Sequence, residues 1–396
     1  MIYNTDYFLK EYRKAGKVQP SIEDKDLLDA ITLQAARHDP EVTRIMLETF
    51  SSLRLKLAEH MKLDNVLFLF GNGVSIYAGS RDTRTFNLAD YKETFPVVSS
   101  IIDAASMLSG VEEQLNALIT ARAYSHIVKE EEKETALSLL IDQVKEKLLN
   151  SFVNTIDYRS LTIHEIFLRK LRSFGCLNRT SIYTPNYDLS FEYSMDKLGI
   201  EFKDGFSGFV NRIFDPRTLR DKDRTALVKI HGSVNWLIDE EKVKEIQPKF
   251  RDGKVDVEDS APVLIYPTSN KLYQTYSTPY SELMRHMLNE MEKGRNIIVV
   301  MGYKYGDDHI NEILFKALKN PKNIFYFFLY DERDSGYFIS RIREITESMP
   351  NIYLFTGNVL ADFQIFARYM LPATAEMTDQ EKVIDLLQKV LVENAR

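Results

Sequence analysis

Four short segments carry the residue types that chemistry needs, and each follows a run of apolar residues. The first is Gly71-Asn72-Gly73-Val74-Ser75, directly after Val66–Phe70. Glycines there permit a tight turn and let backbone N–H groups approach a phosphate, with the Ser75 hydroxyl as a further donor. The fuller GxGxxG pattern is absent, because the third glycine falls at Gly79. Arg81 and Arg84 follow; they suit either a pyrophosphate or plain solvent. The second segment is Thr184-Pro185-Asn186-Tyr187-Asp188. Its polar groups either face a ligand crevice at a strand end or cap the helix beginning near Leu189.

The third segment, Lys229–Trp236, sets His231 at a strand end beside Gly232. Histidine titrates near neutral pH, so this placement suits a general base. Trp236 either walls a pocket or packs in the core. The fourth, Met301–Asn311, runs from a strand end into a helix whose first turn holds Asp307 and Asp308. The helix dipole favours acids there, and acids make a poor phosphate site. Asp307, Asp308 and His309 also admit a metal reading, but adjacent residues rarely all face one ion. No metal is expected.

These segments need a scaffold that brings strand ends together. The apolar run Val66–Phe70 reads as a strand buried on both faces, and Thr180–Tyr183, Leu227–Ile230, Asn296–Met301, Asn323–Tyr330 and Ile352–Phe355 read as further strands. Helical spacing separates several of them, as at Glu165–Phe174 and Ile310–Leu318. The pattern predicts an α/β fold: a Rossmann-like, mostly parallel sheet with helices on both faces. Residues 1–60 read as an N-terminal helical arm, with Pro40 opening a helix that aligns Val42, Ile45, Met46 and Phe50. The main domain spans 61–375 and carries a continuous helical insertion at about 99–152, striped by Leu137, Leu140, Ile141, Val144 and Leu148. Glu240–Ser260 reads as a charged loop. Residues 376–396 form an amphipathic helix with Val383, Ile384, Leu387, Val390 and Leu391 on one side.

Composition narrows the class. A chain of 396 residues can bury a sizeable core, and 23 Phe, 21 Tyr and one Trp exclude a disordered one. The formal charge of −7 argues against a broadly basic nucleic-acid clamp. Cys176 alone excludes an internal disulfide framework and a four-cysteine zinc module. No apolar run approaches the ~18 residues a membrane helix needs, and the N-terminus lacks the layout of a secretory signal. A cytoplasmic location is expected.

Taken in order, the motifs resemble the sirtuin family. Its opening motif, Gly-Ala-Gly-Ile-Ser followed by Ala-Gly-Ile-Pro-Asp-Phe-Arg, is matched in register at Gly71, Gly73, Ser75, Ala78, Gly79, Asp82 and Arg84. Thr184, Asn186 and Asp188 are similar to its Thr-Gln-Asn-Ile-Asp, and His231-Gly232 to its catalytic His-Gly. Departures are equally plain: no cysteine follows Cys176, Thr83 replaces the aromatic that covers nicotinamide, and Pro185 replaces glutamine. Together with HGSVNW and GYKYGDDHIN, this looks like the bacterial sirtuin-like branch found in anti-phage systems. The resemblance implies an NAD hydrolase that depletes the dinucleotide, with Asn186, Asp188 and His231 catalytic. It further implies NAD contacts from Gly71, Asn72, Gly73, Ser75, Asp82, Arg84, Gly302 and Tyr303. A homo-oligomer and a HerA-type ATPase partner are expected on the same ground. An NAD-dependent deacylase and a non-catalytic subunit sensing NAD or ADP-ribose are the alternatives.

Overall fold

The apolar runs become the interior strands of one sheet. The computed structural model describes residues 1–16, 25, 27–29, 31, 39–80, 86–108, 111–150, 155–221, 223–239, 242–256, 278–331 and 336–373. In chain order the strands begin with β1 (Ile2–Tyr3), β2 (Asn65–Phe70), β3 (Thr180–Thr184) and β4 (Phe202–Lys203). A short hairpin of β5 (Phe206–Ser207) and β6 (Arg212–Phe214) precedes β7 (Thr225–Lys229). Next come β8 (Trp236–Asp239), β9 (Lys242–Glu245), β10 (Lys249–Arg251) and β11 (Lys254–Asp256). The series closes with β12 (Asn296–Met301), β13 (Ile324–Leu329) and β14 (Ile352–Thr356).

The main sheet runs β1-β14-β13-β12-β2-β3-β7-β4, and its pairings are parallel. The expected α/β class is therefore observed. Side chains alternate across a strand, so β2 feeds two cores. Val66, Phe68 and Phe70 join Phe167, Leu171 and Phe191 on one face, while Leu67 and Leu69 join Met287, Met291 and Leu314 on the other. Helices cover both faces, as a parallel sheet requires. Helix Thr162–Ser173 lies over the first face, and helices Tyr280–Glu292, Asp308–Ala317 and Tyr337–Thr346 supply apolar residues to the second. At the amino ends of β2 and β12, Asn65 Nδ2 donates to Asn296 Oδ1 at 2.8 Å, and Asn296 Nδ2 donates to Asn323 Oδ1 at 2.9 Å. These bonds fix strand register from the edge opposite the motifs.

From β2 the chain moves outward one way through β3 and β7, then returns to β12 on the other side and continues to β13 and β14. Strand order thus reverses between β12 and β2. A crevice outside the carboxyl ends of such strands is where doubly wound sheets take ligands.

Three expectations need correction. The described part of residues 1–60 is not an arm outside the sheet: β1 pairs with β14, Tyr3 stacks on Phe355 at 4.8 Å, and Phe8, Met46 and Leu57 lie in the main core. Amphipathic helices bury their stripe on the nearest apolar face, and here that face belongs to their own sheet. The insertion is not continuous but breaks into helices Ser99–Ser106, Val111–Ile127 and Glu131–Leu149 around a separate core containing Leu137, Leu140, Ile141, Val144 and Leu148. Its second break falls at Lys129, held at φ 60°. Within Glu240–Ser260 the described part holds β9, β10 and β11, in which Val243 and Val255 are the buried apolar residues among charges. The helix expected at 376–396 lies outside the described residues.

A smaller antiparallel sheet, β5-β6-β9-β8, stands behind the His231 segment. Trp236 opens β8, is 2% exposed, and packs against Phe206 with ring centres 4.8 Å apart. It is a core residue. Asn235 Nδ2 donates to Glu245 Oε1 at 3.1 Å, and Arg212 bonds both Glu245 and Asp204, the latter at 2.8 Å. One guanidinium thus serves two buried carboxyls. Burial, then repulsion from Asp204, pushes Glu245 up to about 8. A carboxyl raised from 4.5 in the unfolded chain binds its proton more tightly when folded, so its stabilisation is full below about 4.5 and fades as pH rises to about 8. Urea midpoints should therefore fall across that window, and Glu245→Gln should flatten the decline. An unchanged slope in that variant would show that Glu245 is not the titrating group.

Candidate active site

The carboxyl ends of β12, β2, β3 and β7 lie side by side, and the four motif segments leave from them. Their first junction is backbone on backbone. The Gly71 amide donates to the Met301 carbonyl at 3.0 Å, and the Gly73 amide to the Gly302 carbonyl at 2.9 Å. A Cβ on Gly71 would stand 2.4 Å from the Gly302 oxygen, and one on Gly73 would stand 2.6 Å from the Gly302 Cα. Gly302 itself sits at φ +68° with its Cβ position 2.8 Å from the Val74 nitrogen. Glycine is thus required because two loops interlock. The amides of Val74 and Ser75 donate to the carbonyls of Gly71 and Asn72 within the turn. The expectation that this turn offers its amides to a phosphate is corrected accordingly: those of Gly71, Gly73, Val74 and Ser75 are already hydrogen-bonded inside the protein.

The next strand end locks onto this junction. Thr184 Oγ1 donates to the Phe70 carbonyl at 2.7 Å and accepts the Asn186 amide at 3.0 Å. Asn186 Nδ2 then donates to the Gly71 carbonyl at 3.2 Å, which holds its side chain against the glycine turn. Asp188 has two duties. Its Oδ1 accepts the Ser190 amide at 2.9 Å, where a helix starts, and its Oδ2 accepts from Ser75 Oγ at 3.3 Å. Both the capping reading and a tie to the first motif therefore hold for this residue. The Ser75 hydroxyl that sequence offered to a phosphate points to Asp188. Behind the turn, Tyr77 and His164 Nδ1 lie 2.5 Å apart, and burial pushes His164 down to about 4, so its ring is neutral. This bond pins the glycine segment to helix Thr162–Ser173.

From β7, the buried Lys229 ammonium donates to the Tyr187 carbonyl at 3.0 Å and to that of Asp188, and pairs with Glu192 at 3.1 Å. Burial raises Glu192, with Lys229 the chief opposing influence. The lysine thereby fixes the Asn186 loop from below. Two residues on, His231 is 4% exposed, and Gly232 at φ +93° turns the chain away into the small sheet. His231 Nε2 lies 2.8 Å from Nε2 of His309. His309 stands in the first turn of helix Asp308–Ala317, for which Asp307 is the N-cap residue. Tyr303 turns into the core, where its hydroxyl accepts the Asp307 amide at 3.1 Å and donates to the Asn311 oxygen at 3.3 Å.

The structure thus gathers Gly71, Gly73, Ser75, Asn186, Asp188 and Gly302 through direct contacts, with His231 on the next strand end. Asp82 and Arg84 lie outside the described residues. Asn72 accepts from Ser80 Oγ at 2.5 Å, within its own turn. Sequence reasoning placed Thr184 and Lys229 within the motifs without assigning them a role, and it missed the pairing of His231 with His309. The polar type and strand-end position of the first two were visible; the histidine pair joins segments 78 positions apart and left no local signal. Among the described residues, His231, Asp307 and His309 place ligand atoms within 4.8 Å of one another. Two imidazoles on one tetrahedral ion, with bonds of about 2.0–2.1 Å, would stand about 3.4 Å apart. The observed 2.8 Å is instead a hydrogen-bond separation.

The interlock makes a direct expectation. Gly71→Ala should destabilise the fold by about 2 kcal/mol or more, since backbone must move to admit the methyl. Gly306→Ala, where nothing lies within 4 Å of the added carbon, should stay within about 0.5 kcal/mol of the parent. Chemical denaturation of both variants checks this; equal stabilities would show that the loops separate freely.

Residues 180–348 match the family model of the SIR2-like domain. No curated protein sequence matches the chain. Among solved structures, "Crystal structure of a Sir2 homolog–NAD complex" aligns at 12% identity and TM-score 0.41, covering 80% of this chain and 93% of that one. "The structural basis for sirtuin substrate affinity" aligns at 10% identity and TM-score 0.37, covering 79% of this chain and 95% of that one. Across residues 180–348, which include the Asn186, His231 and Gly302 segments, the sequence is thus similar to the SIR2-like domain family.

Proposed function

We propose that the protein hydrolyses NAD+ at the bond between nicotinamide and ribose, giving nicotinamide and ADP-ribose. One observation carries the reading. A buried amide and a buried imidazole, Asn186 and His231, sit at the carboxyl ends of the neighbouring strands β3 and β7, beside the strand-order reversal. The match of residues 180–348 to the SIR2-like domain supports the choice of substrate.

In this reading Asn186 orients the ribose and the attacking water, its own orientation set by the Gly71 carbonyl and the Thr184 hydroxyl. As water oxygen adds to the anomeric carbon, its proton passes to His231, and the electrons of the breaking C–N bond leave with nicotinamide, which departs neutral. The transition state resembles an oxocarbenium ion, so positioning supplies much of the acceleration. Asp188 holds Ser75 and the loop of Asn186 in place. Contacts to the pyrophosphate fall to the Asn72 side chain and to Arg84, beside the backbone of Gly71, Gly73, Gly302 and Tyr303, while Asp82 contacts another part of NAD. Resemblance to the anti-phage branch supports NAD depletion as the cellular role. The same resemblance supports a HerA-type ATPase as partner and a homo-oligomeric state.

Purified protein incubated with NAD, with and without an acetylated peptide, should release nicotinamide equally in both. Release only with the peptide would make it a deacylase; binding without release would make it a sensing subunit. His231→Ala and Asn186→Ala should each lower turnover by about 10²-fold or more. Parental turnover in either variant would remove that residue from the mechanism.

A further inference from the structure

The parallel ladder between β3 and β7 stops where the candidate site begins. Its last paired residues are Thr184 and Lys229, and the Ile230 amide donates to the Thr184 carbonyl at 2.9 Å. Beyond that rung regular strand pairing no longer sets the course of the Asn186 loop. Thr184 and Gly71 hold the loop where it leaves β3, through the main-chain amide and the side chain of Asn186. Where the loop enters helix Ser190–Lys197, the hold comes from Lys229. Its ammonium donates to the Tyr187 carbonyl at 3.0 Å, to the Asp188 carbonyl, and to Glu192 Oε1 at 3.1 Å. The Val234 amide also reaches the Tyr187 carbonyl, at 3.2 Å.

We propose that Lys229 is a positioning residue for Asn186: by holding the two carbonyls that follow, it keeps the amide in one orientation beside the glycine turn. This rests on the reading of Asn186 as the group that orients ribose and water. An ammonium carries three N–H donors on one atom, and three acceptors converge on it here. The peptide planes on either side of Asp188 are thereby fixed from a single point. An arginine fork, flat and with its donors spread over three nitrogens, does not match that arrangement. Lys229 is 2% exposed, and burying a charge this far is unfavourable unless its bonds replace those of water. In this proposal Glu192 balances that charge, whereas the bonds to the two carbonyls set the geometry. The hold extends to the first motif, since Asp188 Oδ2 accepts from Ser75 Oγ.

Two variants separate geometry from stability. Lys229→Met removes the three donors and leaves the Glu192 carboxyl buried without its partner, which lowers stability. Combining it with Glu192→Met replaces the ion pair by apolar side chains of similar volume, so the urea midpoint should return toward that of the parent. In both, kcat for NAD cleavage should stay about tenfold or more below the parent, with KM within about twofold. Should Lys229→Met fail to fold, the double variant carries the comparison. Hydrogen exchange without NAD supplies the second readout. The amides of Asn186, Leu189 and Ser190 donate to Thr184, Tyr158 and Asp188 side chains, and in the double variant they should exchange about tenfold faster. Those of Ile182 and Tyr183, inside β3, should exchange as in the parent. The proposal is overturned if the folded double variant cleaves NAD at the parental rate, or if its loop amides exchange as slowly as the parent's. Exchange needs no turnover, so it decides the lysine's hold on the loop whatever the substrate. Failure of the hydrolysis reading shows separately, as no release of nicotinamide by the parent protein.

Discussion

Where strand order reverses in a doubly wound sheet, the loops leaving the two central strands ordinarily diverge and open a crevice. Here the turn after β2 and the turn after β12 are instead pressed backbone to backbone. No side-chain carbon fits at Gly71, Gly73 or Gly302 without displacing the opposite chain. That single steric constraint sets the floor of the site. It fixes the Gly71 carbonyl, which orients Asn186, and it fixes the start of the segment that carries His309. The candidate site stands above a junction with almost no side-chain freedom, and rigidity of this kind is what holding functional side chains in a fixed geometry demands.

Polar burial follows from the same design. Thr184, Asp188, Lys229 and Glu192 are largely removed from water, and each has named partners. An ion pair such as Lys229–Glu192 gains little net stability over an apolar pair of equal volume, because two charges must be desolvated. Its effect is geometric. The lysine reaches two successive carbonyls of the Asn186 loop, which no apolar residue could hold. The Asp204–Arg212–Glu245 group differs, since two carboxyls face one guanidinium, and burial, then repulsion from Asp204, raises Glu245 to about 8. That cluster supports Asn235 and, through it, the chain leaving His231.

The two additions to the sheet differ in where their apolar interiors lie. The insertion helices close around Leu115, Leu140 and Val144, a core separate from those of the sheet. The small antiparallel sheet shares Phe206, Trp236 and Val243 with one face of the main sheet. The second can transmit strain to the His231 segment through packing, whereas the first has an apolar core that does not depend on that packing.

Runs such as NVLFLF and NIIVVM determined on their own that a parallel sheet would form, because only strands covered on both faces carry unbroken apolar sequence. Gly-Asn-Gly after one strand, Asn186 after another and His231 after a third were likewise legible, since strand ends and sharp turns depend on a few adjacent residues. Short strands such as β1 and β9 were not legible, as two to four residues acquire strand geometry only when a neighbour supplies the hydrogen bonds. Nor was the reason for the glycines, which lies in a loop more than two hundred positions away. The union of His231 with His309, the hold of Lys229 on the Asn186 loop, and the burial of the N-terminal helices were decided by tertiary structure alone. Each depends on which strands become neighbours, and long-range sheet order is written in no local window of sequence.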